Sequence, residues 1–154
     1  MTSLERICAA LRDASVEYAI VGGHAVALHG AVRGTVDIDL VVRWTEETLV
    51  RAEAALKETG LVPQLPIRAE DVYANRDDYT RNRHLVAWNF YNPDDPMEQV
   101  DIIITYDLAT MRTQVKELPG GPVEVLSIDD LINMKRRSGR PQDLADVRAL
   151  EQLR

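Results

Sequence analysis

Two apolar stretches of this chain carry aspartates where a packed interior does not ordinarily admit them. One is Val36-Asp37-Ile38-Asp39-Leu40-Val41-Val42, the other Gln99-Val100-Asp101-Ile102-Ile103-Ile104-Thr105. Both read as β-strands by their aliphatic, β-branched content. In a strand over 36–42, Asp37 and Asp39 are two apart and project from one face, about 7 Å from each other, while Ile38, Leu40 and Val42 anchor the opposite face. A half-exposed strand with a polar outer face would look the same. Asp101 is harder to place, because a carboxylate among isoleucines must be paired, bonded at a strand end, or bound to a cation. If its strand neighbours 36–42, three carboxylates roughly 5 Å apart repel by about 3 kcal/mol per pair at an effective dielectric near 20. A divalent cation relieves that repulsion, and an all-oxygen, open-sided ligand set suits magnesium.

A third feature bears on the same region. Gly22-Gly23 ends the short apolar strand 18–21 and precedes a brief helix over about 24–29 that should stop at Gly30. Glycines at such a junction let backbone N–H groups approach a phosphate, although a plain tight turn is the alternative.

The rest of the chain sets the frame. Thr2 and Glu5 have capping-box spacing ahead of an apolar helical stripe through Leu4, Ile7, Cys8 and Leu11. A helix over 45–59 should end at Gly60. Residues 70–79 read as a short helix or ordered loop. Segments 85–91 and 98–105 predict an antiparallel hairpin with a longer loop at Asn-Pro-Asp-Asp-Pro. Segments 115–118 and 123–126 predict a second hairpin around Pro119-Gly120-Gly121-Pro122. Ser127 and Asp130 start a helix to about Arg137, and Pro141 opens a last one ending near Leu153. The expectation is an α+β (α/β) fold, a mixed sheet with helices packed on it. It forms one domain over 1–154, with the catalytic sheet at about 18–126 and C-terminal helices at 127–153.

With 154 residues, 45% hydrophobic, the chain can bury a sizeable core. Its one cysteine, Cys8, excludes an internal disulfide framework and fits a reducing cytoplasm. No run approaches the roughly 20 apolar residues that cross a bilayer, and the first residues lack signal-peptide character. A net charge of −7 argues against a general nucleic-acid binder, although residues 133–154 carry six basic against three acidic side chains.

These residues together resemble a known family. Val21-Gly22-Gly23, thirteen residues, then Asp37-Ile38-Asp39-Leu40 is similar to the signature of the polymerase-beta-like nucleotidyltransferase superfamily. The string Arg33-Gly34-Thr35-Val36-Asp37-Ile38-Asp39-Leu40 and the tail from Leu131 through Val147 resemble its small bacterial branch, which includes abortive-infection nucleotidyltransferase toxins. The resemblance implies a metal-dependent enzyme moving a nucleoside monophosphate from an NTP to a hydroxyl of RNA, protein or a small molecule. Asp37, Asp39 and Asp101 would be catalytic and hold two Mg2+ ions. Gly22 and Gly23 would cradle phosphates, Lys135 would neutralise their charge, and Asp143 would orient that lysine or a neighbouring arginine. Arg33 and Thr35 would touch the triphosphate, or simply cap the turn. The alternative is an antitoxin-like interaction protein or nucleotide-binding module on the same fold, with a toxin or antitoxin as partner. Lys135, near a helix end, is expected to matter little for stability. Trp88 and Phe90 share a strand face and read as core or as base-stacking residues. His24 and His29, five apart, do not share one helical face and read as surface or packing residues rather than a metal pair.

Overall fold

The computed structural model describes residues 1–154 and is built on a seven-stranded mixed sheet. Helix α1 (Ser3–Asp13) opens the chain with a reciprocal capping box between Thr2 and Glu5. Its Leu4, Ile7, Cys8 and Leu11 face inward as their spacing dictates. There follow β1 (Tyr18–Val21), α2 (Gly22–Leu28), β2 (Ile38–Val42) and α3 (Glu46–Glu58), then a short edge strand β3 (Val62–Pro63). Two six-residue helices, α4 (Ala69–Ala74) and α5 (Arg76–Arg81), occupy the stretch whose sequence is ambiguous. The hairpins β4 (Ala87–Asn92)–β5 (Asp95–Ile103) and β6 (Thr113–Leu118)–β7 (Gly121–Leu126) come next. Helices α6 (Ile128–Ser138) and α7 (Pro141–Gln152) close the chain.

The strand order is β3-β4-β5-β2-β1-β7-β6. Strand β2 is antiparallel to β1 and parallel to β5, and this central trio positions the carboxylates. Strand alternation sorts the sheet into two faces. Ile38, Leu40, Val100, Ile102, Trp88 and Phe90 are in register across β2, β5 and β4 and form one fully buried apolar layer. Trp88 and Phe90 meet edge to face, 4.7 Å between centroids at 60°, so they serve the core. The opposite face carries Asp39, Asp101 and Asn89, each the register partner of the next.

Three boundaries differ from expectation. Strand β2 begins at Ile38, leaving Asp37 exposed just before it. The cause is β1, whose last register pair is Val21 with Asp39. Beyond it the chain turns into α2, and residue 37 has no strand partner on that side. Helix α2 starts at Gly22 rather than after the glycines. The β4–β5 loop is a tight turn with a register shift at Tyr91/Asn92, because Asn92 Oδ1 accepts from the Asp94 amide and Asp95 Oδ1 from the Met97 amide.

Candidate active site

Parallel pairing of β2 with β5 sets Asp39 directly beside Asp101. The two like charges and the partial burial act on Asp39 together. Burial first, then Asp101, then Asp37, pushes its carboxyl up from 3.8 to about 7, with Lys135 and Arg140 pulling the other way. Asp37, outside the strand, is near enough for its charge to be felt at Asp39. The three do not close into a preformed cage, since no three His, Cys, Asp or Glu side chains are arranged to hold an ion. Asp101 is oriented by Asn89, whose Nδ2 donates to Asp101 Oδ1 at 2.7 Å and to Gln99 Oε1 at 3.1 Å.

Gly22 lies against Asp39. Its φ is +68°, and a Cβ there would overlap the Asp39 carboxylate, so only glycine satisfies both the backbone and the close approach. Gly23 has Thr35 in the corresponding position, with a Cβ falling 2.8 Å from Thr35 Cβ. Thr35 thus packs the loop before β2 onto the first turn of α2.

Opposite the carboxylates stands a cationic cluster from α6 and α7. Lys135, near the end of α6, is buried, 8% exposed. Its Nζ lies 2.9 Å from Asp146 Oδ2 and 3.5 Å from Asp143 Oδ1. Arg140 binds Asp143 with two nitrogens, at 2.7 and 3.2 Å, so Asp143 contacts both the lysine and the arginine. Burial raises the Asp143 and Asp146 carboxyls, but hydrogen bonds and neighbouring cations outweigh it and hold both below the ordinary carboxylate range. Arg33, 113 residues from Asp146 in sequence, pairs with it at 3.1 Å. Neither Arg33 nor Thr35 lines the cleft.

That cleft, about 520 Å³, is floored by Gly22, Asp39 and Asp101 and walled by Lys135, Arg137, Arg140 and Asp143. Val86, Ile103, Tyr106 and Met134 also line it, with the Arg137 guanidinium 5.2 Å from the Tyr106 ring centroid. A roomier depression near Tyr18, Arg43 and Val123 contains none of these groups. His29 Nε2 donates to the Leu126 carbonyl at 2.8 Å, a packing role.

Sequence reasoning did not single out Asn89, Arg140 or Asp146. A polar residue between two aromatics on a strand pointed to Asn89. Arg140, Asp143 and Asp146, three apart in turn, share a helical face, which was a usable signal for the cluster.

An all-oxygen floor of two adjacent carboxylates, one of them pushed towards neutrality, fits a hard divalent cation with open positions. Cations facing that floor fit a polyphosphate.

A family model described as aminoglycoside-2''-adenylyltransferase matches residues 3–150. Curated protein sequences give no significant match. Among solved structures, the antibiotic-resistance factor ANT(2'')-Ia is similar at 17% identity and a TM-score of 0.64, covering 96% of this chain and 80% of that one. The lincosamide antibiotic adenylyltransferase LnuA, solved with lincomycin bound, is 15% identical with a TM-score of 0.63, covering 99% and 96%. An antigenic nucleotidyltransferase-like protein from Paracoccidioides brasiliensis is 18% identical with a TM-score of 0.55, covering 99% and 77%. The family model names an adenylyltransferase and not the toxin branch. The protein is a nucleotidyltransferase of the polymerase-beta-like superfamily, and it belongs to the aminoglycoside-2''-adenylyltransferase family.

Proposed function

We propose that this protein transfers AMP from ATP to a hydroxyl of a small, cationic, polyhydroxylated acceptor of the aminoglycoside type. The observation that carries the reading is the Asp39–Asp101 pair on the floor of a cleft of about 520 Å³ faced by Lys135 and Arg140. A cleft of this size suits small molecules. The net charge of −7 draws a polycation towards the protein and disfavours a bulky anionic acceptor such as RNA.

Asp37, Asp39 and Asp101 would hold two magnesium ions, which neutralise charge on the triphosphate and on the leaving pyrophosphate when bound. Everything else falls to the chain. Lys135 and Arg140 balance phosphate charge, and Gly22 keeps the backbone beside Asp39 bare for close approach. Asp101 has one oxygen held by Asn89. Its other oxygen takes the proton of the acceptor hydroxyl as the hydroxyl's own oxygen bonds to the α-phosphorus. The bond from the α-phosphorus to the bridging oxygen breaks, and pyrophosphate leaves. Positioning and charge account for the rate, with no covalent nucleophile.

The test is incubation with ATP and magnesium against a panel of aminoglycosides and lincosamides, total RNA and lysate protein, read by mass spectrometry. An AMP adduct on an aminoglycoside, absent with Asp39→Asn, is expected. Adducts confined to RNA or protein would overturn the acceptor, and no adduct anywhere would overturn the reading.

A further inference from the structure

Asp146 is 3% exposed and does not line the cleft, yet it holds two cations brought from opposite ends of the chain. Its Oδ1 takes Arg33 Nε at 3.1 Å and Gln142 Nε2 at 3.0 Å, and its Oδ2 lies 2.9 Å from Lys135 Nζ. Arg33 belongs to the irregular segment between α2 and β2 that also carries Asp37. Its pairing with Asp146 is the sole ion pair formed by that segment. From Arg33 to Asp37 the other side-chain polar contacts are Arg33 to its neighbour Gly34 carbonyl at 2.6 Å and a 3.5 Å contact of His24 with the Val36 carbonyl.

We propose that Asp146 is a positioning residue of the phosphate site, acting through Arg33 and Lys135 as one unit. Two like charges do not share a buried location unless an anion lies between them. Here one carboxylate supplies it and fixes both the lysine that walls the cleft and the segment leading to Asp37. Arg33, Lys135 and Arg140 together outnumber Asp143 and Asp146 by one positive charge. Lys135, Asp143 and Asp146 are neutralised internally enough to be buried, while the exposed Arg140 leaves the cluster attraction for a multiply charged anion. A polyphosphate is that anion, so this inference rests on the adenylyltransferase reading above. The assignment differs from a packing role: it predicts that damage at Asp146 appears in donor affinity and depends on Arg33.

The experiment is calorimetric titration of magnesium–ATP, without acceptor, into wild type, Asp146→Asn, Arg33→Ala, Arg33→Lys and the Asp146→Asn/Arg33→Ala double variant. Each of the first two single changes should weaken ATP binding about tenfold. The double variant should be no weaker than the worse single one, and Arg33→Lys should recover most of the loss. Val72→Ala, a buried change in α4 outside the cleft, should lower the melting temperature and leave ATP affinity untouched. If Asp146→Asn does not fold, Arg33→Ala decides alone, with its predicted tenfold loss. Unchanged affinity, or losses that multiply in the double variant, would overturn the coupling. Absence of ATP binding in the wild type would instead remove the adenylyltransferase reading, and the inference with it.

Discussion

Replacing Asp39 with asparagine should stabilise the metal-free protein while abolishing transfer, and the size of the gain follows from the site. The Asp39 carboxyl sits at about 7 against an ordinary 3.8, because burial and the charges of Asp101 and Asp37 disfavour its ionised form. A raised carboxyl pKa has a definite sign. The folded state holds the proton more tightly than the unfolded state, so the associated stability is complete below about pH 3.8. It is then lost progressively as pH rises to about 7. A displacement of about three pH units at 1.36 kcal/mol each gives at most about 4 kcal/mol of destabilisation by pH 8. For a chain of this length that is a melting-temperature difference of roughly 8–15 °C. Asp39→Asn keeps the shape and removes the charge. Denaturation in a chelating buffer should therefore show the variant well above wild type at pH 8, with the gap closing towards pH 4. Saturating magnesium should narrow the pH 8 gap, because on the proposed reading the ion would bind the wild-type site and favour its folded state. A gap that does not vary with pH, or none at pH 8, would refute the reasoning.

Other outcomes follow from single side chains. Lys135→Ala leaves two buried carboxylates short of a cation and should cost about 3 kcal/mol in urea denaturation, where the sequence alone suggested almost nothing. Gly22→Ala puts a side chain at φ +68° and into Asp39. It should lower stability by about 1–2 kcal/mol and cut initial transfer rates more than tenfold in a pyrophosphate-release assay. Thr2→Ala removes the α1 cap and should cost about 1 kcal/mol of stability with transfer rates unchanged.

The sequence made local structure readable wherever the signal was local. Thr2 with Glu5, Thr45 with Gly60, and Pro141 each mark a helix end within a few residues of it, and the structure places the ends there. Both hairpins were visible because apolar alternation and turn residues lie next to each other in sequence. The mixed sheet followed from these elements. Asp37 was misassigned to the strand because its side-chain pattern is right. What it lacks is a pairing partner, and that depends on where β1 turns away. The environment of Lys135 was invisible for a similar reason. A Lys-Arg-Arg run at a helix end looks solvated until Asp146, in the next helix, and Arg33, 113 residues from that aspartate, are brought together. Arg136 and Arg137 do stay near the surface, pairing with Glu151 and stacking on Tyr106. Asn89 escaped notice because its value lies in its register partner Asp101 rather than in its neighbours.

The central claim is that the paired carboxylates of β2 and β5 drive adenylyl transfer, and it is tested most directly by pyrophosphate release with ATP and an aminoglycoside. Wild type and Asp101→Asn should be assayed across a magnesium titration. The account predicts acceptor-dependent release in wild type that requires magnesium, and a loss of at least a hundredfold in Asp101→Asn, whose amide cannot take the hydroxyl proton. Equal release by the two proteins, or release by wild type that ignores magnesium, would contradict it.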